Sequence, residues 1–189
     1  MLAHRGPSNR LVIGLAVLCL ALLGWTYLGF VIPFRAAAAG RELFDVRISG
    51  YEAGDVLSML DFLRGHPDAA AIQHSHYLGP ELLFPALLTM LLILLLRLAR
   101  PGGSFFGRQI PAAVISAIFL LPVLYGFADY AENIAGLLLF PPSTPSDTTV
   151  AALSHALPIL VRLKFAALAI TLILLIRFTV LRGPPSDAP

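Results

Sequence analysis

Charged residues are scarce in this sequence. Asp, Glu, Lys and Arg make up 13% of its 189 residues, about half of their usual share in a soluble globular domain. Hydrophobic residues make up 58%, which is well above the usual range for such a domain. The composition therefore excludes an ordinary soluble protein and predicts an integral membrane protein.

Cysteine is almost absent, and familiar catalytic motifs are missing. The single cysteine, Cys19, lies inside an apolar run, so no disulfide can form within one chain and no thiol pair exists for redox chemistry. We interpret Cys19 as a small buried hydrophobic residue. The sequence also lacks a phosphate-binding loop, a zinc-protease motif and a nucleophile elbow. No motif assigns a reaction, so whether the protein is an enzyme stays open.

Long apolar runs are what the sequence has instead. About 20 apolar residues in a helix span the roughly 30 Å hydrocarbon core of a bilayer. The runs predict a single all-α membrane domain, a four-transmembrane-helix bundle with helices at 11–32, 81–99, 109–140 and 150–181, an outer loop at 33–80 and a tail at 182–189. The first run could be a cleaved signal peptide, since the small residues "RAAAAG" follow it, but its 22 residues favour a retained helix.

The distribution of Lys and Arg predicts the orientation. Seven of the 13 lie at the termini and in the connection between helices two and three, with one acidic residue among them. The other six share the remaining segments with ten acidic residues. Because short cytoplasmic segments are enriched in Lys and Arg, we expect both termini in the cytoplasm. These basic residues face anionic lipid, and nothing in the pattern indicates nucleic-acid binding.

The outer loop contains an amphipathic stretch, "GYEAGDVLSMLDFLRGHP". Its apolar residues on one side of a helical wheel are Val56, Leu57, Met59, Leu60 and Leu63. The pattern predicts a short interfacial helix that lies on the outer membrane face or caps the bundle. A second short helix is predicted after His66, since Pro67 suits a first helical position. The loop is too short and too broken by glycine to build a core of its own.

The stretch "FADYAENIAG" places Asp129, Glu132 and Asn133 in an otherwise apolar helix. Residues three and four apart share a helix face, and Tyr125 lies on the same stripe. A charge that faces lipid costs on the order of 3 kcal/mol. We therefore expect this face to point into the bundle.

Two other helices carry charges to the same depth, near the outer edge of the hydrocarbon. At about 1.5 Å per residue, Glu81 on the second helix and Lys164 on the fourth reach the level of Asp129. Arg162 and Lys164 are two residues apart and point about 200° away from each other, so only one of them can face the acidic residues squarely. We favour Lys164, and we expect Arg162 to reach the headgroups.

These residues define a predicted polar layer. Its primary members are Glu81, Tyr125, Asp129, Glu132, Asn133 and Lys164, and its secondary members are Tyr51, His155 and Arg162. Three interpretations stay open: an ion network that only fixes helix register, a binding or proton-handling site, or an interfacial scatter of charges without a network.

Three histidines in the outer loop, His66, His74 and His76, raise the question of a metal site. Two histidines at i and i+2 face opposite ways on a helix, and no cysteine or firmly placed carboxylate completes a tetrahedral set. We therefore predict no metal site, and no cofactor is indicated.

The order of "GYEAGDVLSML", "ELLFPALL", "DYAEN" and Lys164 resembles a group of uncharacterised bacterial four-helix membrane proteins. The resemblance covers most of the chain and implies a bacterial inner membrane, but it carries no activity. Glu81 stands where that group has an aspartate, which keeps the charge and lengthens its reach. The vitamin K epoxide reductase type needs paired cysteines and the claudin type a loop disulfide, so both fit less well.

We therefore expect a binding or assembly component of the membrane. Its polar layer would bind a lipid headgroup or a side chain of a membrane-protein partner. The helices themselves would contact the lipid bilayer. The alternative is an enzyme or proton-coupled carrier that uses Glu132 or Asp129 as acid or base. The sequence leaves the oligomeric state open.

Overall fold

Four long helices dominate the computed structural model, which describes residues 8–99, 101–102, 104–105 and 108–180. The first runs through α1 (Asn9–Thr26), one π-helical turn (Tyr27–Val31) and α2 (Ile32–Ala37). A 3-10 turn (Phe44–Val46), α3 (Ala53–Gly65), α4 (Pro67–Leu78) and α5 (Pro80–Ala99) follow. A hairpin of β1 (Ser104–Phe105) and β2 (Arg108–Gln109) leads to α6 (Ala112–Leu139) and α7 (Asp147–Val180). The predicted tail at 182–189 lies outside the described residues.

Each of the four long helical segments is long and apolar enough to cross a membrane. They comprise Asn9–Ala37, Pro67–Ala99, Ala112–Leu139 and Asp147–Val180, with 29, 33, 28 and 34 residues. At about 1.5 Å per residue, even the shortest segment, with 28 residues, is longer than the roughly 30 Å of hydrocarbon. The predicted all-α fold with four long apolar helices, and short helices between the first two, is therefore confirmed.

The helices pack in the order α1, α5, α6 and α7, with α6 lying along α7. Leu92, Leu96, Ile118 and Leu175 form the core between α5, α6 and α7. The first helix packs on α5 through a smaller set that includes the buried Cys19. Large apolar side chains elsewhere on these helices are exposed, as expected of surfaces that face lipid.

Residues 38–66, here called the capping loop, close one end of the bundle. On α3, Val56, Met59, Leu60 and Leu63 are buried, whereas Leu57 is exposed. Leu57 follows Val56 by about 100° on the helix, which turns it away from the bundle. The buried side chains complete a core with residues of the first helix, α6 and α7. The capping loop therefore shares its hydrophobic core with the bundle.

Local sequence positions this loop. The Asp55 side chain accepts a hydrogen bond of 2.8 Å from the Glu52 backbone N–H, and the Glu52 side chain accepts one in return, so a capping box begins α3 at Ala53. Tyr51 directly precedes the N-cap residue Glu52. Its ring packs on that of Phe44, with centroids 4.1 Å apart.

Two glycines allow α6 to approach its neighbours closely. A Cβ on Gly126 would lie 2.4 Å from Oγ1 of Thr89 on α5. A Cβ on Gly136 would lie 2.6 Å from the ring of Tyr77 on α4. Because such approaches are too short for any other residue, these glycines bring α4 and α5 against the polar stretch of α6 that lies between them.

Candidate functional site

The primary members of the predicted polar layer are all buried. They lie on α5, α6 and α7 beneath the capping loop, and they comprise Glu81, Tyr125, Asp129, Glu132, Asn133 and Lys164. The protein is therefore a four-span membrane protein with a buried, charge-paired polar cluster.

Lys164 lies at the centre of this cluster. Its Nζ is 2.6 Å from Oε2 of Glu132 and donates a hydrogen bond of 2.9 Å to Oδ1 of Asp129. A third carboxylate oxygen, Oδ1 of Asp45 in the capping loop, lies 3.5 Å from the same nitrogen. One ammonium group thus joins α7 to two carboxylates of α6 and to the loop.

Two phenols donate to the same acidic residues. The Tyr125 hydroxyl donates to Oδ2 of Asp129 at 2.8 Å, one helical turn away. The Tyr51 hydroxyl donates to Oε1 of Glu132 at 3.2 Å across the interface between the loop and α6. Burial, together with the Glu132 and Asp45 carboxylates, raises the pKa of Tyr51 well above its usual value. Its hydroxyl therefore stays protonated and continues to donate.

Two members of the cluster, Asp45 and His76, were not predicted as parts of the polar layer. Asp45 comes from the 3-10 turn of the loop and His76 from α4. The His76 ring is fully buried, with Nδ1 3.5 Å from Oδ2 of Asp45 and Nε2 3.4 Å from Oε1 of Glu81. Neither nitrogen makes a hydrogen bond with a described residue. The ring thus stands between two carboxylates at distances longer than ordinary hydrogen bonds.

Asn133 holds the start of α5 to α6. Its side-chain nitrogen donates to the backbone carbonyl of Glu81 at 3.2 Å. The carboxylate of Glu81 lies beside His76.

Two of the three secondary residues lie outside the cluster. Arg162 pairs with Glu52 at the protein surface, and both side chains are largely exposed. His155 is exposed on α7. Because Lys164 points inward, Arg162, two residues before it, points outward. There it pairs with Glu52, which belongs to the capping box of α3. Tyr51 is the secondary residue that the structure brings into the cluster.

The three loop histidines are not brought together. His66 is exposed, with Nδ1 2.7 Å from the Phe62 carbonyl, and its ring stacks on that of Phe62. His74 lines a surface cleft of about 600 Å³ beside the connection between α6 and α7. Only His76 of these three reaches carboxylates.

The cluster is acidic and closed. Four carboxylates, those of Asp45, Glu81, Asp129 and Glu132, surround one lysine and one histidine. Oxygens of the first three lie within 4.8 Å of one another, a spacing that a metal ion could bridge. Four of the cavities in the described part of the chain, of about 340 to 600 Å³, are lined by residues outside the cluster.

Comparison of the chain with protein-family models, with curated proteins and with solved structures yields no match. No family is identified. The four apolar helices and the geometry of the cluster therefore carry the functional interpretation.

Proposed function

We propose that the protein is a small integral membrane binding or assembly component. Its polar layer lies near the outer face of the membrane and locks the capping loop onto the bundle. The single observation that carries this proposal is the position of Lys164, which contacts carboxylates of α6 and of the loop while buried from solvent. A loop held in this way presents a fixed surface to lipids and partners.

Closure of the cluster favours this proposal over catalysis. A substrate would have to reach Glu132 or Asp129, yet the loop core and the Tyr51 ring cover them. A buried ion pair retained at the cost of desolvation is best attested as a device that specifies one arrangement of elements. A fixed arrangement is what an assembly component needs.

Polar side chains that remain exposed at the same level indicate what binds there. Arg162 lies about 27 Å along α7 from Val180, so its guanidinium reaches the predicted headgroup level. Exposed arginines at this level bind lipid phosphate or an acidic side chain of a partner. We propose that Arg162 contacts an anionic lipid headgroup or such a partner, with His155 on the same helix nearby.

We also propose a bacterial inner membrane as the location, with both termini in the cytoplasm and the capping loop outside. The excess of Lys and Arg over acidic residues at the termini and beside the hairpin supports this orientation. The resemblance to bacterial four-helix membrane proteins supports the choice of membrane.

Native mass spectrometry of the protein released from mild detergent tests the binding role. We expect bound phospholipid or a co-purifying membrane protein on the wild type, and less of it on Arg162→Gln. Arg64→Gln, which alters another exposed arginine of the loop region, is the matched control and should bind as the wild type does. A lone wild-type chain without lipid or partner would contradict the proposal.

A second candidate function, a proton-coupled carrier or enzyme, is favoured by one observation. The His76 ring stands between two carboxylates without a hydrogen-bond partner among the described residues, and histidine is the usual side chain for moving protons. Wild-type proteoliposomes under an imposed pH gradient would then carry a proton flux that Glu132→Gln abolishes. Flux equal to that of empty vesicles would eliminate this candidate.

A further inference from the structure

One carboxylate of the cluster, that of Glu81, has no contact with Lys164 among the described residues. That lysine contacts Asp45, Asp129 and Glu132. Among the described residues, the side chain that approaches the Glu81 carboxylate with a basic nitrogen is His76. Four carboxylates against one ammonium leave three negative charges, and burial makes such an excess costly. A cation at the corner formed by Asp45 and Glu81 would lower this cost.

The spacing around His76 is unusual for hydrogen bonds. Its nitrogens lie 3.4 and 3.5 Å from carboxylate oxygens, whereas such bonds measure about 2.7–3.2 Å. Two ligands of one tetrahedral ion with bonds of about 2.0–2.1 Å are separated by about 3.4 Å. A single ion can bind only one of the two ring nitrogens. Either separation, taken by itself, therefore matches a pair of neighbouring ligands of a metal ion better than a direct hydrogen bond.

The carboxylates supply the rest of a ligand set. Oxygens of Asp45, Glu81 and Asp129 lie within 4.8 Å of one another, and Oδ2 of Asp45, which faces His76, has no hydrogen-bond partner among the described residues. The ligands come from the capping loop, α5, α6 and α4, so one ion would cross-link four parts of the fold.

We propose that a divalent metal ion binds in this cluster, held by the carboxylates of Asp45, Glu81 and Asp129 with the imidazole of His76 as a further ligand. A mixed set of imidazole and carboxylate favours Zn²⁺ or Mn²⁺ over Mg²⁺ and Ca²⁺. Lys164 keeps its contact with Glu132, and a divalent ion lowers the remaining excess from three negative charges to one. The site goes beyond the proposed binding role and does not depend on any partner.

The closed loop determines how the ion enters. Asp45 lies in the capping loop, and the site is buried beneath it. The ion must therefore be loaded while the loop is open, as during folding, and it should exchange slowly afterwards. The metal carried by freshly purified protein is then the informative quantity.

The test uses the full chain expressed in medium supplemented with Zn²⁺ and Mn²⁺, purified in detergent and washed with a chelator. Elemental mass spectrometry should find a single ion per wild-type chain. We expect Glu81→Gln and His76→Gln to lower this content at least about tenfold. Glu42→Gln, at an exposed acidic residue that pairs with Arg35, is the matched control and should keep the wild-type content.

Wild-type protein that carries less than about a tenth of an ion per chain would overturn the proposal, because the cluster would then be stable without a metal ion. Equal metal content in wild type and Glu81→Gln would overturn it as well, since the ion would lie elsewhere. If the Glu81 variant does not fold, Asp45→Asn in the loop serves in its place. Metal content and co-purifying partners are separate measurements, so failure of one proposal leaves the other standing.

Discussion

The ammonium nitrogen of Lys164 lies 2.6 Å from Oε2 of Glu132, and both side chains are buried in the bundle. A pair this close in a medium of low dielectric is strongly coupled. Removing either partner leaves the other charge without compensation, which costs more than the pair itself contributes. Substitutions of these two residues therefore test the buried cluster most directly.

Lys164→Met should destabilise the protein severely. It leaves four carboxylates facing one another, and the loss of one partner from a buried ion pair costs about 3–5 kcal/mol. The midpoint of thermal unfolding in detergent should fall by about 10 °C. Arg162→Met is the control, because its ion pair is exposed and contributes about 1 kcal/mol at most. Equal midpoints for the two variants would contradict a buried network around Lys164.

The capping loop offers a matched pair of leucines. Leu60 is 3% exposed and Leu57 is 45% exposed on the same helix, α3. Leu60→Ala should cost about 2–5 kcal/mol because it leaves a cavity in the core shared with the bundle. Leu57→Ala should change stability by about 0.5 kcal/mol or less. Limited proteolysis at the loop arginines should be faster only in the first variant, and equal rates would show that α3 does not cap the bundle.

Gly136→Ala tests the close approach of α4 and α6. The added methyl group would meet the Tyr77 ring at 2.6 Å, and such overpacking costs about 1–3 kcal/mol. Gly14→Ala in α1 is the control, since an added Cβ there meets no atom within 4 Å. Thermal unfolding should separate the two variants, with Gly14→Ala at least as stable as the wild type. The reverse order would place α4 away from α6.

Tyr51→Phe removes the loop's hydroxyl from Glu132. The lost donor should cost about 1–3 kcal/mol, because the buried carboxylate loses a partner. Burial raises the pKa of Tyr51 above its ordinary value of about 10. The hydroxyl contribution is therefore fully present below that ordinary value and is lost only as the pH rises beyond it. The difference in unfolding midpoint between wild type and variant should be present at neutral pH, and equal midpoints there would contradict the hydrogen bond.

The four helices were predictable because hydropathy and length decide whether a segment can span a bilayer. The same holds for the polar face of α6: spacing alone placed Asp129, Glu132 and Asn133 on one side. Residues two apart on a helix cannot share a direction, so the sequence showed that only one of Lys164 and Arg162 could face the acidic residues. These are local or one-dimensional properties, which a sequence displays directly.

Asp45 and His76 could not be placed in the same way. Asp45 lies in a short 3-10 turn without a periodic pattern, and its position depends on how the loop packs against the bundle. His76 was placed within the outer loop, beyond His66, where a second short helix was predicted. In the structure α4 leads through Gly79 directly into α5, so the His76 ring reaches the level of Glu81. The one available signal for Asp45 was an acidic residue directly after the apolar pair Leu43 and Phe44, both of which are buried.

The most direct test of the buried charge-paired cluster is a double-mutant cycle on Lys164→Met and Glu132→Gln, with the free energy of unfolding measured for all four proteins. The double variant should be more stable than the sum of the two single losses allows, by about 1–3 kcal/mol. Losses that add within about 0.5 kcal/mol would show that the two side chains do not interact, and the buried charge-paired cluster would be refuted.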